Sequence, residues 1–158
     1  MALMEIKARI QAMVAAADPA AKVWPRLRYL NAESQADQLA GTDGTLHVWF
    51  IWREGSALED EVINQNFTEQ TDTLVIEGFY AMNDANNSDG EFESNVDAVL
   101  KSISDDRRCA PGGTKLGGTV MSARAPQRRK TDLVMYGPSQ VLCHHTEIAM
   151  TVVSRDLQ

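Results

Sequence analysis

Residues 73–82, TLVIEGFYAM, run into NDANN at 83–87 and then SDGEFESNVDAVLKSISDDRR from Ser88 to Arg108. The fold is decided in that stretch. Its opening segment is rich in β-branched and aromatic residues, which suit a pleated, half-buried surface and predict a strand. Asn83 to Asn87 stops it, because Asn and Asp side chains bond to nearby backbone and compete with a ladder. Ser88 opens a helix, and Glu91 three residues later completes a capping box. Asp89, Glu91 and Glu93 load the first turn with the negative charge that a helix dipole favours. Phe92, Val96, Val99, Leu100 and Ile103 then recur at helical spacing as one apolar stripe. Lys101, Arg107 and Arg108 lie at or beyond the far end, where the dipole prefers a cation.

On the N-terminal side, Thr45–Arg53 (TLHVWFIWR) is a second strong strand. Leu46, Val48, Phe50 and Trp52 alternate with His47, Trp49, Ile51 and Arg53. The first set is expected to face the helices. The apolar Trp49 and Ile51 then require a second cover, either the chain's own helices or a neighbouring subunit. Residues 54–61, EGSALEDE, read as an acidic loop, part of a long hairpin connection between two antiparallel strands. Further upstream, residues 3–17 form a first helix with Ile6, Ile10, Met13, Val14 and Ala17 on one face. Asp18-Pro19 ends it. Val23–Leu30 is extended, and Pro25 puts it at an edge. Residues 31–39 suggest a short helix, and Gly41–Gly44 a turn.

On the C-terminal side, residues 109–118 (CAPGGTKLGG) open a flexible Gly-rich and basic region that continues to about residue 131. Within it Thr119–Ala125 is a short strand and Pro126–Thr131 a basic loop. Asp132–Tyr136 is extended, Gly137-Pro138 turns, and Gln140–Ser154 is a long closing strand. There Leu142, Ile148, Met150 and Val152 share a face with His144 and Thr146. Helix, strands, helix, strands in one domain spanning 1–158 predicts an α+β fold: a mainly antiparallel sheet with two principal helices packed on one face.

Composition narrows function. The chain has 158 residues, a net charge of −7, 44% hydrophobic and 23% charged residues, the balance of a soluble globular domain. The acidic total argues against a general nucleic-acid binder. No apolar run is long enough to span a membrane, and the first residues lack the pattern of a signal peptide. Cys109 and Cys143 are too few for a disulfide framework, which makes a reducing cytoplasm the simplest expectation. Charge is uneven: every charged residue from Glu54 to Asp97 is acidic, whereas Lys101 to Lys130 is predominantly basic. Either these are two solvated surfaces, or the acidic face of one copy meets the basic face of another. A head-to-tail contact of that second kind closes into a ring if its rotation allows.

Catalytic motifs are weak. Gly112–Lys115 lacks the spacing of a phosphate loop, and no Gly-x-Ser-x-Gly elbow occurs. No histidine sits near a candidate serine in a recognisable pattern. In an extended strand Cys143, His145 and Glu147 share a side, which makes them a metal-like set; His144 points away. The basic stretch Arg124 to Lys130 suits phosphate contact but lacks interleaved aromatics for base stacking; a flexible loop that orders on meeting a partner is the other reading.

The N-terminal helix, Arg28-Tyr29, Trp49–Glu54 (WFIWRE), Leu74–Met82 (LVIEGFYAM), Asn83-Asp84, the Ser88/Phe92 helix opening and the long final strand together resemble the tail-terminator (tail-completion) proteins of long-tailed bacteriophages. The Gly-rich, basic insertion departs from that pattern. The resemblance implies a homohexameric ring capping the tail tube in the virion, assembled in the host cytoplasm. It would stop tube polymerisation and offer an interface to the head connector. Its partners would be further copies of itself, the tail tube protein, the connector protein and genomic DNA. The DNA would slide through an acidic lumen without specific binding; no membrane, cofactor, metal or catalysis is implied. Trp49, Arg53, Glu59, Asp60, Glu61, Arg124, Arg128, Arg129 and Lys130 are the residues expected to make the contacts. The alternatives are a metal-binding module or metal-dependent enzyme built on the final strand, and, within the same structural class, a head-tail connector.

Overall fold

The computed structural model describes residues 2–27, 39–60, 67–107, 116, 122–137 and 140–157. In chain order these form α1 (Ala2–Ala17), β1 (Lys22–Trp24), β2 (His47–Asp60), β3 (Phe67–Ala81), a 3-10 turn (Asp84–Asn86), α2 (Ser88–Asp106), β4 (Ser122–Ala123), β5 (Gln127–Tyr136) and β6 (Val141–Leu157). The strands make one mixed, mostly antiparallel sheet in the order β1-β2-β3-β6, with β4 and β5 both paired to the far side of β6. Only β1 is parallel to its neighbour, pairing Lys22–Trp24 with Val48–Phe50 at the edge where Pro25 is harmless. The fold is α+β, with both helices on one face of the sheet.

The backbone of the fold is the β3–β6 ladder, which runs from Phe67↔Leu157 to Ala81↔Cys143 without a register shift. β2 pairs with β3 antiparallel, as expected, but over a much longer span, from His47↔Tyr80 to Asp60↔Thr68. The expected acidic loop is therefore strand up to Asp60; a bulge between Arg53 and Gly55 absorbs the break in pattern. Polar alternation hid this strand, because one with little to bury has no apolar period to read. The expected basic loop at 126–131 is likewise the start of β5, bulged between Arg128 and Lys130 against β6. Within the Gly-rich region Leu116 is described, and its side chain is buried in the core; Cys109, Lys115, the Arg28-Tyr29 segment and all but Leu39 of the suggested helix at 31–39 lie outside the described residues.

The main core lies between helices and sheet. Ile6, Ile10, Met13 and Val14 of α1 and Phe92, Val96, Val99 and Ile103 of α2 meet Trp49, Ile51, Leu74, Ile76, Ile148, Met150 and Val152. Each large side chain buried there contributes about 1.5–3 kcal/mol. The two faces of β2 are thus the reverse of the expectation. Trp49 and Ile51 face the helices, whereas Val48 and Phe50, with Leu46 and Trp52, join Phe79, Cys143 and Tyr136 on the helix-free face. Gly78 sets this choice: a Cβ there would lie 2.7 Å from the Trp49 ring, so the missing side chain is the space the indole occupies.

The start of α2 also departs from expectation. Asn87, in the left-handed region at φ 53°, is the cap and makes no side-chain capping bond. Ser88 is already helical; its hydroxyl accepts the Asn83 N–H at 2.7 Å, and Glu91 accepts the Tyr80 hydroxyl at 2.7 Å instead of reaching back. The 3-10 turn enters the helix directly, which removes the extended backbone that a capping box needs.

Candidate functional site

The acidic and basic stretches meet each other inside one chain. Arg129 on β5 reaches over β6 and β3 to β2, where both terminal nitrogens donate to Glu54 at 2.9 and 2.8 Å, and its Nε donates to Glu147 at 3.0 Å. Arg128 points to the opposite face and forms a fork with Glu93 of α2, with its Nη2–Oε1 contact at 2.7 Å and its Nε donating to Thr146 at 3.0 Å. These bonds hold the carboxyls of Glu54 and Glu93 below the usual range and the guanidinium groups above theirs. Arg53 pairs with Asp72 at 3.4 Å. The cations expected to greet a neighbour are therefore engaged at home, where the long-range strand order places them.

The remaining expected contact residues divide. Trp49 offers nothing to a neighbour: it is fully buried and donates its indole N–H to Asp18 at 2.9 Å. Glu59 is exposed on β2 opposite Glu69, a like-charge pair. Asp60 ends β2, and Glu61 lies outside the described residues. Lys130 is exposed, with its ammonium 3.6 Å from Asp132, and Arg124 is exposed beside β6.

Beyond the core, β2 has a different character. Every β2 residue from Arg53 to Glu59 is exposed, Leu58 among them at 68%. No described strand pairs with the outer side of β2 past Phe50. A strand of this length spans about 45 Å, so the uncovered half is a substantial open edge.

On the helix-free face the final strand keeps part of the metal-like set. His145 and Glu147 stay together, but Cys143 leaves. Its thiol points at the Val141 carbonyl from within an apolar cluster, and burial pushes its pKa up to about 12. Glu77 of β3 takes its place, 2.8 Å from His145 Nε2, while Asp132 of β5 is 2.6 Å from Nδ1. Burial alone would lower the imidazole's pKa; the two carboxylates outweigh it and hold it above its ordinary value. Glu77, His145 and Asp132 sit on three adjacent strands, so no spacing in the sequence joins them.

Two further histidines sit on the helix side. His47 Nε2 lies 2.6 Å from Asp18, whose carboxylate is 2% exposed and turned inward by the end of α1. This pair borders an open polar cleft with Tyr80, Asp43 and Glu91. Burial first, then the hydrogen bond to Glu91, push the Tyr80 pKa up to about 12, so the phenol remains a donor. His144 lies 2.9 Å from Ser88 Oγ and 3.9 Å from Asp89, an order of groups that sequence spacing did not reveal. Ser88 is 1% exposed and already accepts a backbone N–H, so it ties the helix start to the sheet and has no path to a substrate.

No protein-family model matches this chain, and a search of curated proteins returns no match.

Proposed function

We propose that this protein is a structural subunit that works by lateral self-association, forming a homohexameric ring at the end of a phage tail tube. The observation that carries the reading is the outer half of β2. It leaves a row of backbone donors and acceptors without a described partner strand, with the exposed Leu58 on the same arm. Such an edge is a template for another chain. Glu59, exposed on this arm, makes uncontrolled stacking unfavourable and favours a partner of opposite charge. A heterologous contact through this edge closes when the rotation between copies divides a full turn. In this reading the closed ring ends tube growth because its outer face offers no copy of the tube subunit's own binding surface. The head connector then meets that face, and DNA passes through the lumen. The likeness to tail terminators supplies the identity of the assembly; the edge supplies its physical route.

The test is native mass spectrometry and negative-stain microscopy of concentrated protein, alone and with tail tubes. A six-copy annulus supports the reading. A solitary chain at every concentration, with and without tubes, overturns it.

A further inference from the structure

Glu77, His145 and Glu147 each offer one ligand atom to a common point, all within 4.8 Å of one another. Each of the three is also held by a different further residue. Asp132 lies 2.6 Å from His145 Nδ1, Trp52 donates to Glu77 Oε2 at 3.2 Å, and Arg129 Nε donates to Glu147 Oε2 at 3.0 Å. Outer bonds of this kind fix ligand orientation and the histidine tautomer in metal sites. The Asp132 bond puts a proton on Nδ1 and frees the Nε2 lone pair once the proton it shares with Glu77 Oε1 leaves.

We propose that Glu77, His145 and Glu147 bind one first-row divalent transition-metal ion, with zinc as the best fit, in place of that shared proton. The charges agree. Glu77, Glu147 and Asp132 face Arg129 alone when the imidazole is neutral, which leaves two negative charges for a divalent ion to cancel. Glu54 on the outer side of Arg129 and Lys130 beside Asp132 offset each other. The side chains of Glu77 and Glu147 are 14% and 18% exposed, so an ion has a way in. Bonds of about 2.1 Å place tetrahedral ligands roughly 3.4 Å apart, so the carboxylates close in slightly. Imidazole selects zinc, cobalt or nickel over magnesium and calcium, which prefer oxygen-only shells. With three protein ligands, one coordination position faces solvent.

The experiment is calorimetric titration of chelator-treated, untagged protein with Zn²⁺ and, separately, Mg²⁺, together with the absorption spectrum of the Co²⁺ form. We expect one Zn²⁺ per chain and no matching Mg²⁺ isotherm. The Co²⁺ spectrum should show d–d bands without a thiolate charge-transfer band, because Cys143 is no ligand. Glu147→Gln and Glu77→Gln should each abolish saturable binding, and Asp132→Asn should weaken it about 10- to 100-fold. Circular dichroism verifies the fold of each variant; Glu147→Gln, the more exposed of the two carboxylate ligands, carries the test if others unfold. Absent Zn²⁺ uptake by the wild type, uptake undiminished in both Gln variants, or a thiolate band overturns the proposal. The titration reads binding per chain, so its outcome is independent of whether rings form.

Discussion

The two faces of this sheet handle buried polarity in opposite ways. Beneath the helices Asp18 serves both His47 and Trp49 and Ser88 meets His144, but most of what is buried there is specified by shape: an indole laid over a glycine, an aliphatic stripe from each helix. On the open face, four strands bring Glu77, His145, Glu147, Asp132, Arg129 and Glu54 into one chain of charges. The covered face is specified by volume and should respond to cavities. The open face is specified by charge and should respond to salt, protons and ions.

The largest effect expected from breaking this contrast is at Trp49. Trp49→Ala empties the centre of the covered face and leaves Asp18 with one donor fewer. We expect a loss of about 3–5 kcal/mol in urea unfolding, nearly independent of salt. Next is Gly78→Ala, whose Cβ would meet the indole at 2.7 Å. Overpacking of this kind costs about 1–3 kcal/mol, and a smaller partner should restore part of it, so Gly78→Ala in a Trp49→Leu background should cost less than the sum of the two.

Smaller again is Arg128→Met, which removes the tie between β5 and α2. The pair is partly exposed, so roughly 0.2–1 kcal/mol is at stake and high salt should shrink it. Its pH dependence has a definite sign. Glu93 has a depressed pKa in the folded state, so its contribution is present above the ordinary Glu range and fades as pH falls through the folded value. The wild type should therefore lose more stability on acidification than Arg128→Met does, a difference read from urea midpoints across an acid series. The smallest effect on stability is at Leu58. Leu58→Lys should change unfolding free energy by no more than about 0.5 kcal/mol, yet reduce the assembled fraction in native mass spectra.

Much of the covered face was legible in the sequence. The stripe Phe92–Ile103 and the apolar run Leu74–Ile76 carry their own periodicity, so helix, strand and α+β class followed from local rules. What failed was orientation: both rows of β2 are apolar, and alternation alone does not say which row meets the helices. The answer lay in Gly78, 29 residues further along the chain but directly opposite Trp49 across the ladder. The open face was less legible, because polar strands lack an apolar period and salt bridges such as Arg129–Glu54 join distant positions. His145 was visible as a candidate ligand, whereas Glu77 and Asp132 became its neighbours only through strand order.

The unbroken pairing of β3 with β6 has a mechanical meaning. From the covered body to the end of the uncovered arm, the rungs lie across the strand direction. A pull along the arm loads all of them together, as shear, and none can be peeled open singly from the tip. A subunit tethered through that arm would transmit force into its folded body as a stiff rod does, and would yield only when the whole ladder slipped at once.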